Sequence, residues 1–323
     1  MRTFTKFRKD IASYSNVSTS DTIEMEKIDG YLNDSIRTIC NQHGGKLRFL
    51  EATKDMVTVA DQQTYQIPNG FRKLMDLYIY DGTGATGDTI YTPRMIYDPK
   101  IWKHVLQGKL GTSEVPYLTY IENTQFKVEP VPSVSGNKIT LRGRLKVRDL
   151  TIADYVTGTI TTIANNTTTV TGSGTTWTAS MKGRYINFDE ASGGDGFWYK
   201  IDSVTNGTTL ELLKPYEGTS IASGTATFTI GQSSVIPSAY DVGVVYRSTA
   251  LYWTNQKDLA RAKTYWLLYD GGKEAGLSKD YGGLMSEMIV NEGETEEGAY
   301  IPPLGTLNPY NDNYYPRQQA TGF

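Results

Sequence analysis

The chain has 323 residues, 38% of them hydrophobic and 21% charged, with a formal charge of -3. These are ordinary globular values, and they exclude binding to nucleic acid or acidic membrane through overall positive charge. No stretch approaches the twenty or so consecutive apolar residues a transmembrane helix needs, and a lone cysteine, Cys40, excludes an internal disulfide or a multi-thiolate metal site.

A soluble protein of two or three structural units is expected, taking roughly 150 residues per domain. The opening MRTFTKFRKDIASYS is basic, but no apolar segment or cleavage site follows, so export through a signal peptide is not expected. Phe4, Phe7, Ile11 and Tyr14 recur at steps of three and four, which predicts a short amphipathic helix. Asp21 followed by Glu24 resembles a capping box. Met25, Ile28, Leu32, Ile36 and Ile39 then hold one helical face until Gly44 and Gly45, and Cys40 is read as a small buried hydrophobe on that helix.

From Met56 the period changes to two, in MVTV, TYQIP, KLMDLYIYDG, YLTYIENTQFKVEP and KITLRGRLKV. Residues 54–155 therefore read as an antiparallel β region. Asn123-Thr124 forms a hairpin turn in it, and a polar excursion near 82–116 carries one helical turn around Ile101 and Trp102. Residues 156–232 are rich in Thr, Gly and Ser, with about six short strands punctuated by Asn165-Asn166, Gly172 to Gly174, Gly193-Gly194 and Asn206-Gly207, which suits a small sandwich or barrel. Helical period returns over 233–290. Ser238 is expected to cap a helix carrying Tyr240, Val244 and Leu251, and a second helix carries Leu259, Ala262, Trp266 and Tyr269 up to Gly271-Gly272.

The fold class expected is α+β. Neither helical end, 1–53 or 233–290, has enough apolar surface to fold alone, so the two are expected to form one bundle with the β material inserted between them. The final segment, 291–323, has no period and is rich in Pro, Gly, Asn and acid. By composition it is a tail that orders only on another surface, with Tyr300, Ile301, Pro302, Pro303, Leu304, Tyr310, Tyr314 and Tyr315 as docking residues.

The search for chemistry finds no catalytic constellation. TGSGTTWT lacks the lysine and the following helix of a phosphate-binding loop, and DEASGGDG around Asp189 has too few oxygen ligands for a calcium loop. His43 and His104 have no ligand or triad partner at useful spacing. Glu294, Glu296 and Glu297 lie in the tail, where nothing sets a separation between carboxyls. Neither a metal nor a cofactor is expected. One electrostatic pattern stands out: Arg142, Arg144, Lys146 and Arg148 alternate with Leu141, Gly143, Leu145 and Val147, so on a strand four cations would share one face.

Several stretches together resemble the head-to-tail adaptor (connector) proteins of tailed bacteriophages. The most specific are TVTGSGTTWTASMKGRYINF, GFWYKIDSV and TTLELLKPYEGTSIASGTATFTI. They are flanked by FRKDIASYSNVSTSDT with LNDSIRTIC before them and IPSAYDVGVVYRSTALYWTNQKDLARAKTYWLLYDGG after them. The resemblance implies a structural virion protein rather than an enzyme. It implies a homo-oligomeric ring of twelve subunits at the head–tail junction, assembled in the bacterial host cytoplasm, with no membrane partner. Such a ring joins the portal protein to tail, nozzle or stopper proteins, and genomic DNA passes through it without sequence-specific contact. The basic stripe would then face the channel and the tail would dock on the portal or a neighbouring subunit. A second reading is a virion tail or decoration protein whose β module binds a host glycan through exposed Trp177, Trp198 or Tyr199. A third, a tail-borne cell-wall hydrolase, would need paired carboxylates in a cleft.

Overall fold

Phe4, Phe7 and Ile11 line one side of α1 (Phe4–Tyr14), and all three are buried, while Tyr14 at its end is half exposed. The second helix, α2 (Thr22–Asn41), starts where the Asp21 carboxylate accepts the Glu24 amide at 3.1 Å. Its apolar stripe Met25, Ile28, Leu32, Ile36 and Ile39 is buried, with Cys40 beside it. The computed structural model describes residues 1–42, 47–108, 111–222 and 224–292. The expected stop at Gly44-Gly45 and the residue His43 lie outside these.

The β region contains β1 (Glu51–Val57), β2 (Thr64–Gln66), β3 (Phe71–Tyr80), β4 (Ile90–Tyr91), β5 (Arg94–Ile96), α3 (Pro99–Gln107), β6 (Thr112–Ser113), β7 (Leu118–Glu122), β8 (Gln125–Glu129), β9 (Val131–Pro132) and β10 (Lys138–Leu145). One sheet has the order β1-β10-β3-β4 and is antiparallel throughout; a second has the order β2-β8-β7-β5. Tyr65, Phe126 and Val128 from the second sheet meet Leu74, Leu77, Ile79, Ile139 and Leu141 from the first in a single apolar layer. Alternation places those residues on one face of each strand, except that on β3 the register shift opposite Arg142/Gly143 brings Leu74 to the same face as Leu77 and Ile79. Asn123 adopts φ 54° at the β7–β8 hairpin, as a two-residue turn requires.

The region is mostly antiparallel, as the alternation predicts, with two parallel pairings. β5 pairs with β7, and β6 with β9, in parallel. Parallel partners need a long crossover: between β5 and β7 the polar excursion supplies it with α3, a full helix capped by Asp98 with Pro99 at its first position and Trp102 as its one buried residue, and between β6 and β9 the β7–β8 hairpin supplies it.

The inserted strands β11 (Thr159–Thr162), β12 (Thr169–Ser173), β13 (Tyr185–Phe188), β14 (Trp198–Asn206), β15 (Thr209–Leu212) and β16 (Phe228–Gly231) form a six-stranded antiparallel sheet in the order β11-β12-β15-β14-β13-β16. Isolated bridges Tyr155↔Ile230, Ile160↔Ala226 and Ile163↔Ile221 join its two ends, so the sheet curls back on itself as a small barrel-like unit. Its interior is its own: Trp177, Ile186, Phe188, Leu210, Tyr216, Phe228 and Ile230 are all buried there. Gly172 explains the glycine loop, since a Cβ at that position would lie 2.9 Å from the Trp177 ring. A side chain there would also meet the Thr175 methyl at 2.8 Å, so glycine is what lets Thr175 and the indole approach the strand this closely.

Three helices follow, α4 (Asp241–Asn255), α5 (Leu259–Asp270) and α6 (Gly283–Glu292), making six among the described residues. Ser238 does not cap α4. It opens one turn of 3-10 helix, Ser238–Tyr240, and α4 begins after it with no side-chain cap. On α5, Ala262, Trp266 and Tyr269 are buried, but Leu259 is 69% exposed, so the predicted inward face is one residue shorter at its start.

Residues of α1, α2, α4, α5 and α6 enter a single apolar cluster, which includes Phe7, Ile28, Leu32, Val244, Trp266 and Met288. Each fully buried side chain of this kind contributes about 1.5–3 kcal/mol. Because the cluster is shared between the two ends of the chain, neither end would bury its stripe without the other.

Candidate functional site

The register of the first sheet decides what the basic stripe can do. β10 lies between β1 and β3, and the cross-strand row Thr53↔Arg142↔Asp76 sets Arg142 among carboxylates. Its guanidinium is 2.5 Å from Glu51 and 3.5 Å from Asp76, and the hydrogen bond to Glu51 raises its pKa against the opposing effect of burial. Lys138, at the start of the same strand, is likewise paired with Asp55 at 3.1 Å.

The strand ends at Leu145, after bulges at Arg142/Gly143 and Arg144/Leu145. Four cations therefore do not share one strand face, contrary to the sequence-based reading. Arg142 and Arg144 sit on β10, half-buried, whereas Lys146 and Arg148 follow it in an exposed connector. A bulge shifts the alternation, and alternation by itself carries no sign of the acids on β1 and β3.

That connector is tied to α2. Asn33 donates to the Leu150 carbonyl at 3.0 Å and accepts the Leu150 amide at 2.8 Å, both buried. Arg37 grips Asp149 with two bonds of 2.9 Å. A second polar tie crosses the helical core. Arg247 on α4, only 4% exposed, reaches Asp34 at 2.8 Å, Ser35 at 3.3 Å and Glu274, and its guanidinium lies over the Trp266 ring. Burial acts against its charge, but the hydrogen bonds to Glu274 and Asp34 outweigh it and keep the group cationic.

Two outward apolar surfaces were not anticipated. On α5, Leu259, Leu267 and Leu268 are 69%, 46% and 45% exposed, and Val290 of α6 is also exposed. In the β region, Tyr97 just before α3 and Ile101 and Leu106 on it are exposed, while Trp102 is buried and stacks on Tyr120 at 5.4 Å. The adjacent leucines at 267 and 268 were a legible signal, because only one of such a pair fits the stripe carrying Trp266 and Tyr269. Apolar residues on both sides of a surface helix point to a partner.

The family model for the SU10 adaptor protein matches residues 2–167, just over half of the chain. The chain belongs to the SU10 adaptor family. It is thus a phage structural adaptor, a virion protein of a class that is not enzymatic. No curated protein matches the chain. The SU10 adaptor match spans α1, α2, the whole β region and β11, and it ends before β12.

Within this SU10 adaptor the rings proposed for glycan stacking are mostly internal. Trp177 is 3% exposed and meets Phe228 edge-on at 5.7 Å. Tyr199, buried against Phe188 and Tyr216, has its pKa pushed up to about 12 by burial and by its hydrogen bond to Asp195. Trp198 is half-buried. Asp189 caps its own turn by accepting the Ala191 amide, and among the described residues no cluster of His, Cys, Asp and Glu could hold a metal ion. His104 sits exposed on α3. No helix of the described residues is long and apolar enough to cross a membrane. The proposed docking residues, Tyr300, Ile301, Pro302, Pro303, Leu304, Tyr310, Tyr314 and Tyr315, and the glutamates Glu294, Glu296 and Glu297 lie outside the described residues.

Proposed function

We propose that this SU10 adaptor is the head-to-tail adaptor of its virion, a homo-oligomeric ring of twelve subunits that joins the portal to the tail and continues the DNA channel. The observation that carries the reading is the family match running unbroken from α1 through the β region. Two features support it. A ring is built from heterologous contacts, which need two different patches on each subunit, and exposed apolar side chains occur in two separate places, Leu267 and Leu268 on α5 and Ile101 and Leu106 on α3. Permanent interfaces of this kind bury about 2,000 Å² or more.

In this reading the helices of 1–53 and 233–290 form the bundle that makes the ring, and 54–155 and 156–232 build its wall and meet tail, nozzle or stopper proteins. The segment 291–323 docks on the portal or a neighbour. Its root is fixed, because Met285 and Met288 of α6 are buried in the helical core just before it. The ring assembles in the host cytoplasm before the tail joins. Lys146 and Arg148, exposed beyond β10, are the members of the basic stripe best placed to meet passing DNA, whereas Arg142 is neutralised by Glu51 and Asp76. Burial of Trp177 and Tyr199 speaks against the glycan reading.

The test is co-sedimentation with purified portal, followed by negative-stain imaging of the particles. The full chain is expected to add a ring of density beneath the portal. A chain lacking residues 297–323 is expected to keep its circular-dichroism spectrum and to fail to co-sediment. Unaltered co-sedimentation of the truncated chain would remove the tail from the proposal, and absence of any complex with the full chain would sink the adaptor role.

A further inference from the structure

The barrel-like unit leaves the rest of the molecule through two adjacent connectors, residues 149–155 going out and 231–236 returning. The connectors hold each other: the Gln232 side chain accepts the Thr151 and Ile152 amides at 2.9 and 3.1 Å and donates to the Asp149 carbonyl at 3.0 Å. The short segment Arg2–Thr5, just ahead of and entering α1, then closes over both. The Phe4 amide donates to the Gln232 carbonyl at 2.8 Å, and Thr3 forms an antiparallel bridge with Ser233. The Ser233 hydroxyl donates to the Arg2 carbonyl at 2.9 Å. On the outgoing side, the Thr3 hydroxyl donates to Asp154 at 2.7 Å and the Asp154 amide donates to the Thr5 hydroxyl at 3.0 Å. The Arg2 amide is itself anchored on the buried Asp241 at the start of α4, at 2.8 Å.

What is missing from this junction matters as much. The buried residues of the barrel cluster and of the helical cluster are separate sets. Where α1 passes the barrel, a pocket of about 270 Å³ is lined by Lys6 and Lys9 from the helix and by Trp198 and Thr229 from the barrel. Leu150 and Ile236 anchor the two connectors in the helical cluster, and between those anchors and the barrel the described contacts are the directional hydrogen bonds of Arg2–Thr5, Asp154 and Gln232. Such bonds contribute little net energy each but define geometry, and a joint with few buried apolar contacts is of the kind that opens locally.

We propose that Arg2–Thr5 act as a clasp that sets the angle of the barrel on the helical core, and that opening it lets the barrel pivot about its paired connectors. Gly231 is the seat of the clasp: a Cβ there would stand 2.3 Å from the Thr3 methyl and 2.9 Å from Asp154. No side chain fits while Thr3 is in place, so the clasp can be disturbed from either side, through Gly231 or through the two hydroxyls.

The test uses the full chain with nitroxides at Lys182→Cys on the barrel and Lys257→Cys between α4 and α5, diluted with unlabelled chain to suppress contacts between copies. Both positions are exposed, and Cys40 is buried and unlabelled in the folded chain. Double electron–electron resonance is expected to give one narrow distance distribution in the parent. In Gly231→Val, and in the milder Thr3→Val/Thr5→Val pair, the width is expected at least to double, while hydrogen exchange at Val170, Ile186 and Leu210 inside the barrel stays as slow as before. An unchanged width in both variants overturns the proposal. So does accelerated exchange inside the barrel, which would make these contacts part of the barrel's own fold.

Discussion

Asp241 shows how one buried group reports on its surroundings. Its carboxylate is 1% exposed and accepts one bond, from the Arg2 amide, while its other oxygen has no partner. Burial pushes its pKa up from 3.8 to about 6, against the Arg2 amide bond and the positive charges of Arg2 and the α-amino group; Arg2 in turn is paired with Asp10. Between about pH 4 and 6 the folded chain thus holds a proton that the unfolded chain has lost. This group's contribution to stability is largest at acid pH and declines as pH rises through 6. Asp241→Asn keeps an acceptor for Arg2 and removes the charge. It is expected to raise stability at pH 8, by at most on the order of 3 kcal/mol, with little change at pH 4; denaturant midpoints at the two pH values measure this. The opposite ranking would mean that the carboxylate is stabilised by its neighbours rather than penalised by burial. Cys40, by contrast, is a thiol whose pKa burial raises to about 12, in keeping with its reading as a small hydrophobe.

At the scale of elements, capping separates two helix starts that look alike in sequence. Asp21 has non-helical φ/ψ and accepts the Glu24 amide, whereas Ser238 lies in a 3-10 turn and makes no cap bond. Asp21→Ala is expected to cost about 1 kcal/mol, and Ser238→Ala to stay within about 0.5 kcal/mol, as read from thermal melts of the two variants side by side. Equal effects would show that the assigned cap does no work. The same distinction explains what was legible. Stripes at period 3.6 located α1, α2, α4 and α5, because burial on one side of a helix repeats every turn. The parallel pairing of β5 with β7 was not legible, since alternation marks a strand without naming its neighbour. Nor were the carboxylates beside Arg142, which come from Glu51 and Asp76, 91 residues before it and 66 before it in the chain.

For the whole molecule, the α5 leucines carry the next expectation. Leu267→Asp/Leu268→Asp alters side chains that are already about half exposed, so the subunit should fold with little loss of stability. If α5 lies in the ring interface, the pair of charges should shift the assembly to monomer by light scattering; a ring of undiminished mass would place the interface elsewhere. The sequence by itself determined the period of α1, α2, α4 and α5 and of the longer strands, the separate short-stranded unit over 156–232, the want of any catalytic spacing and the resemblance to phage adaptors, since these depend on residues close together in the chain. Only the tertiary structure decided that Leu259 is outside, that Trp177 and Tyr199 are inside, that Arg142 is neutralised, and that Thr3 closes on Gly231. Each of those outcomes depends on which distant segment lies across a given face, and local periodicity carries no information about that.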